Sequence, residues 1–234
     1  MNENEIYTQI DFNNDYGMKE FLESIMINFK EESLRFFDMW GFFPFTYREK
    51  QVTSALAPAI HKLTNNIWLE QPFKTQNGEI QRFLDIATLY EDSIYLIELK
   101  HSWNSKSQSV AQFAEIEWET SIKQIADLNI THVREFVNIE EFNVYKIALM
   151  VMPTYLKNDA DNPICNMSAK DYSKLVFDDF MSYTNKEFRA NYVSTWKIQN
   201  PKEYEHEYKD NIQIFPFVNF VVKIEPIKLL GDNK

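Results

Sequence analysis

The chain has 234 residues, 44% of them hydrophobic and 15% aromatic, which suffices for one α/β domain with a real core and argues against disorder. Its 24 basic and 35 acidic residues give a formal charge of −11, which speaks against generic, charge-driven binding to nucleic acid. Four glycines supply neither a Rossmann fingerprint nor a phosphate loop, no stretch approaches the roughly eighteen apolar residues of a membrane span, and the single Cys165 excludes an internal disulfide.

The N-terminal run MNENEIYTQIDF is acidic and polar, without the basic start and apolar block of a secretory signal. With the lone cysteine it predicts a cytoplasmic protein with no membrane partner. From Met18 to Trp40, Phe21, Leu22, Ile25, Phe29, Leu34 and Phe37 recur near helical spacing, and Gly41 and Pro44 end that helix. A second helix starts near Tyr47, with Glu49, Val52, Leu56, Ile60 and Leu63 along one face; Pro58 is expected to kink or restart it. Ile67-Trp68-Leu69 and Arg82 to Ala87 read as strands around the turn Gln76-Asn77-Gly78. Ser93 to Lys100 is the clearest strand. Helical spacing returns from Ser107 to Leu128, and Val144 to Met152 is a buried strand expected to end at Pro153. Beyond Tyr155 come a polar loop, a helix near Phe177 to Phe188 and a strand over Phe215 to Ile224. The expected fold is a single α/β domain over 1–234 with a mixed central sheet flanked by helices. A core spans 47–152, with an N-terminal helical extension (1–46) and a C-terminal extension (153–234).

In SIYLIELK, Ile94, Leu96, Glu98 and Lys100 share one face and Tyr95, Ile97 and Leu99 the other. Both faces are apolar up to Glu98, as in a strand covered on both sides. A carboxylate and an ammonium buried there without partners would cost several kcal/mol each, so a site that uses them explains them better than chance. Asp85, thirteen residues earlier, can converge on Glu98 if the two strands form a hairpin. Two carboxylates meeting there repel unless a cation lies between them, and oxygen ligands suit Mg²⁺ or Mn²⁺. Such a metal neutralises phosphate charge and acidifies water, and Lys100 can orient that water.

Asp85 followed by Glu98-Leu99-Lys100, set in the order helix–strand–strand–strand–helix–strand, resembles the PD-(D/E)xK nuclease superfamily with its restriction-endonuclease-like αβββαβ core. The resemblance covers about Tyr47 to Met152; Leu84 stands where the motif's Pro would be, a departure the family tolerates. It implies that Asp85, Glu98 and the Leu99 carbonyl bind the metal while Lys100 serves the water. It also implies two further candidates. Glu49 matches the Glu that many members add from the first core helix, although a helix-start carboxylate is equally explained by the macrodipole. Gln124 matches a Gln on the helix after the Lys strand, although a solvated helix residue would look the same. The implied activity is hydrolysis of DNA by in-line attack of a metal-activated water. The alternative is an inactive or weakly active nucleic-acid- or protein-binding module on the same fold, the acidic charge then reflecting a protein partner.

Bland readings hold for the remaining conspicuous residues. His101 alternates away from Lys100 and reads as a packed histidine; the four histidines lack zinc-ligand spacing. Trp103 to Ser107 form a polar loop after the site, where Trp103 could stack on a base.

Overall fold

The computed structural model describes residues 5–12, 16–74, 81–105, 109–128, 142–157 and 162–227. The first strand, β1 (Ile6–Ile10), leads into helix α1 (Tyr16–Trp40). Phe21, Leu22, Ile25, Met26 and Phe29 of α1 are buried together, the inward stripe that their spacing dictates. Each contributes about 1.5–3 kcal/mol by leaving water. Gly41, at φ +73, ends the helix in the left-handed region that an L side chain adopts at a cost.

Helix α2 (Glu49–His61) follows a 3₁₀ turn at Pro44–Thr46 and buries Val52, Ala55, Leu56, Ala59 and Ile60. It runs through Pro58 without restarting. Pro58 sits in the last turn, where the missing N–H removes one helical bond and little helix remains to disrupt.

Three strands come next: β2 (Ile67–Lys74), β3 (Gln81–Tyr90) and β4 (Ser93–His101). Helix α3 (Gln112–Ala126) lies in the connection to β5 (Asn143–Lys157), which pairs parallel with β4. Among the described residues the elements follow the expected order of one helix, three strands, one helix and one strand. The turn Gln76-Asn77-Gly78, and Lys106 and Ser107, lie outside the described residues.

Strand β5 does not end at Pro153 but continues to Lys157. The Pro153 carbonyl accepts from Asn104 N at 3.0 Å, on the β4 side, while the residue pairs with Val218 on its other side. N–H and C=O of a strand residue point the same way, so the donor that proline lacks faces the place where β4 has already ended. No ladder bond of the opposite edge is lost.

Helix α4 spans Ala169–Met181, earlier than the predicted 177–188. Ser168 caps it, its Oγ accepting from Asp171 N at 3.0 Å. Residues 186–188 form only a 3₁₀ turn. The chain finishes with β6 (Tyr192–Lys197), β7 (His206–Tyr208) and β8 (Asn211–Pro226).

The described strands form one sheet in the order β1-β6-β8-β5-β4-β3-β2, with β7 on the edge of β8. Every pairing is antiparallel except β4 with β5. Helices α1 and α2 cover one face, over Tyr95, Ile97, Leu99, Ile147 and Leu149. Helices α3 and α4 cover the other, over Ile94, Leu96, Ala148 and Met150. The protein is therefore a mixed α/β fold with β4 and β5 sandwiched at its centre.

Candidate active site

The site begins where β3 and β4 part. Their register runs from Tyr90↔Ser93 to Ile86↔Ile97 and then stops. One step further would set Asp85 opposite Glu98. Leu84 and Ala87 both pack on the α3 side of the sheet, and Ile86 on the α1 side. Strict alternation would put Leu84 with Ile86, so the facing of β3 slips by one place at Asp85 while its register with β2 is the same on both sides. Across the hairpin, Glu70 faces that point with φ +52.

The slip gives Asp85 a backbone partner. Its Oδ2 accepts from Leu99 N at 2.7 Å, so the carboxylate takes the acceptor position that a β3 carbonyl would hold in a regular ladder. Asp85 is half-buried. Burial raises its pKa, and the Glu70 charge adds to this, against the Leu99 hydrogen bond and the charges of Lys100 and Arg82.

Glu98 is only 2% exposed. Its Oε1 accepts from Lys100 Nζ at 3.3 Å. Its Oε2 is buried without a hydrogen bond, with Arg82 Nη2 standing 3.6 Å away. Burial, and after it the Asp85 charge, push the Glu98 carboxyl up to about 7 despite both cations.

Lys100 Nζ also donates to the Leu99 carbonyl at 2.9 Å and stands 3.6 Å from Glu49 Oε2. Burial pulls its pKa down, but Glu98, Glu49 and Asp85 together outweigh this and hold the ammonium protonated. Glu49, in the first turn of α2, is raised by burial first, against Lys100, and further by Asp85 and Glu117. In the sequence Glu49 fits a helix-start carboxylate and a site residue equally; its ion pair with Lys100 and the influence of the Asp85 charge on it attach it to the cluster.

Gln124 is not joined to Asp85, Glu98 or Lys100 by any hydrogen bond among the described residues. It shares a face of α3 with Glu117 and Ser121, and its Oε1 and the Ser121 Oγ are buried without a hydrogen bond. The stripe reaches the cluster through Glu117, whose charge is felt at Glu49. Arg82 and Glu70 are the residues that sequence reasoning missed. Arg82 links Glu98 to Asp127, its Nη1 donating to Asp127 Oδ2 at 3.5 Å. The arginine opens the predicted strand three residues before Asp85, and that spacing was the available signal.

His101 is a packed residue, as its alternation implied. Its Nε2–H donates to the Phe45 carbonyl at 2.9 Å, and burial pulls the imidazole down to about 4, so it stays neutral. Cys165 lies half-buried in a 3₁₀ turn at Pro163–Asn166.

The oxygens of Glu98, the Leu99 carbonyl and Glu49 already surround one cation, the Lys100 ammonium. Asp85 is held beside them by Leu99 N, and its charge is felt at both Glu98 and Lys100. Among the described residues no group of three or more His, Cys, Asp or Glu side chains is spaced to hold a metal ion. The donor set is nevertheless all oxygen, and the Glu98 Oε2, which accepts no hydrogen bond, is a buried oxygen suited, once ionised, to a hard divalent cation. Compared with protein-family models, curated proteins and solved structures, the chain matches none. Among the described residues, no helix is long and apolar enough to cross a membrane.

Proposed function

We propose that this chain is a divalent-metal-dependent nuclease of the restriction-endonuclease-like fold that hydrolyses DNA phosphodiester bonds. The observation that carries the reading is the convergence of Asp85, Glu98 and Lys100, with Glu49, at the point where β3 and β4 separate. The order α2-β2-β3-β4-α3-β5 supports it. The choice of DNA over RNA comes from the family resemblance alone.

Asp85, Glu98, the Leu99 carbonyl and Glu49 would hold Mg²⁺ or Mn²⁺. When bound, the ion supplies neutralisation of phosphate charge and acidification of water. Leu99 N fixes the Asp85 carboxylate, so one donor is oriented before any ligand arrives. Glu98 must lose a proton near neutrality to become a full anion. Lys100 leaves its present acceptors, orients the attacking water and stabilises the charge gathering on the phosphorane oxygens. The water oxygen bonds to phosphorus, the phosphorus–oxygen bond to the leaving sugar breaks, and a proton from the water ends on the leaving oxygen, so that a phosphomonoester and an alcohol result.

The test is cleavage of single- and double-stranded DNA with and without Mg²⁺ or Mn²⁺. Cleavage is expected only with metal, and Asp85→Ala or Lys100→Ala should lower its rate by about 100-fold or more. Wild-type protein that cuts no DNA at any metal concentration would leave a binding module on the same fold. Cleavage of small phosphodiesters but not of polynucleotides would assign a different phosphate ester.

A further inference from the structure

A cavity of about 550 Å³ is lined in part by sequence neighbours of Glu49 and Lys100 and by none of the site's acidic residues. Five rings line it: Tyr47, Trp103, Phe113, Tyr155 and Tyr208. Tyr47, Phe113 and Tyr208 are exposed, at 41%, 44% and 50%. Large aromatic surfaces left in water around one hollow are unusual unless something flat covers them. Arg48, Gln51 and Gln213 add a cation and two amides, and no lining residue is acidic in a chain of net charge −11.

The cavity is tied to the catalytic cluster through the backbone. Arg48 and Gln51 flank Glu49 at the start of α2, and Glu49 pairs with Lys100. Trp103 follows Lys100 by three residues, between two anchors. On one side His101 is bonded to Phe45 O; on the other, buried Asn104 donates to the Tyr172 hydroxyl at 2.9 Å. The Trp103 ring meets His101 edge-on, with ring centres 4.6 Å apart. Tyr155 sits where the β5–β8 register shifts, a bulge that re-aims side chains. Tyr208 and Gln213 come from the β7–β8 hairpin, whose turn residues Lys209 and Asp210 both have positive φ. The wall is therefore built on ordered backbone.

Resting on the nuclease reading, we propose that this cavity seats an unpaired base of a single-stranded polynucleotide whose backbone passes the Asp85–Glu98–Lys100 cluster. The rings supply stacking faces, which every base satisfies. The two glutamines supply donors and acceptors for a base edge. Arg48, exposed at the mouth, meets a phosphate next to the seated base. A paired base has its edge occupied and both faces stacked, so a duplex does not fill the cavity without unpairing.

The experiment measures fluorescence anisotropy of a labelled oligothymidylate of about eight nucleotides, a length typical of single-strand sites, and of the same sequence as a duplex. The full chain is used, with chelator present so that nothing is cut. The single strand is expected to bind more tightly than the duplex. Trp103→Ala and Tyr208→Ala should each weaken single-strand binding by about tenfold or more, Trp103→Phe should retain most of it, and all variants should keep the wild-type melting temperature. Unchanged single-strand affinity in both alanine variants overturns the proposal, as does absence of oligonucleotide binding by the wild type. Metal-dependent cleavage alongside unchanged affinities would sink the base site and leave the nuclease reading standing. Lost affinity in the variants with no cleavage by the wild type would do the reverse.

Discussion

At the scale of single residues, Glu98 decides how the site responds to protons. The folded chain holds its carboxyl near 7, whereas the ordinary value is 4.5. Between those values the folded state binds more protons than the unfolded one, so stability falls as pH rises through that window and levels off above it. The expected loss is on the order of 1–3 kcal/mol. Glu98→Gln removes this part of the dependence, and urea denaturation at pH 5 and pH 8 reads it as a smaller difference than in the wild type. A variant whose stability changes with pH as steeply as the wild type would show that Glu98 is not the titrating group. The same substitution should weaken Mn²⁺ binding measured by calorimetry at pH 8, where the wild-type carboxylate is ionised; unchanged binding removes Glu98 from the ligand set. Glu98 and Lys100 were legible in the sequence because strand alternation puts both on one face of a strand that is otherwise apolar. Arg82 left only its place at the head of the strand as a signal and Glu70 none, because their approach depends on where the facing of β3 slips.

At the scale of elements, the slip has a conformational cost. Glu70 carries φ +52 opposite Asp85, and a non-glycine residue there costs about 1–2 kcal/mol. Its charge also raises the pKa of Asp85. Glu70→Gly should relieve both, raising stability by up to about 1 kcal/mol after the extra unfolded-state entropy of glycine is subtracted. Thermal melting checks it, and a lower melting temperature would mean that the Glu70 side chain itself holds the kink. Most of the elements were readable because their signals are local: the stripe of α1, the double-sided apolarity of β4, the turn before it. Three expectations differ from the structure, each where a residue's position within its element outweighs its type. Pro58 does not restart α2, because it falls in the last turn where one helical bond is lost and little helix remains, and Pro153 does not end β5, because its missing donor faces the place where β4 has already ended. The helix placed near 177–188 begins at Ala169, where Ser168 and Asp171 form the cap. Strands β1, β6 and β7 are short or lie at the sheet's margin and carry no strong alternation.

At the scale of the whole molecule, an acidic chain has to approach an acidic polymer. A net charge of −11 repels DNA at long range, so affinity must come from few local contacts. Arg48 lines the aromatic cavity, Lys50 is exposed two residues further along α2, and Lys209 lies over the ring of Tyr208 at 5.2 Å. Three phosphate contacts on a single strand predict a slope of about −2 in a plot of log affinity against log monovalent salt. Salt also screens the long-range repulsion, which flattens the slope further. Titrating the oligothymidylate complex with chelator present measures this directly. A slope of about −5 or steeper would require a basic surface that these three residues do not supply. With Mg²⁺ and a phosphorothioate oligothymidylate, which resists cleavage, the curve should shift toward tighter binding, since a divalent cation among Asp85, Glu98 and Glu49 turns that carboxylate cluster from repulsive to attractive. Binding that is indifferent to Mg²⁺ would separate the aromatic cavity from the carboxylate cluster, leaving recognition and chemistry on two surfaces that do not act on the same strand.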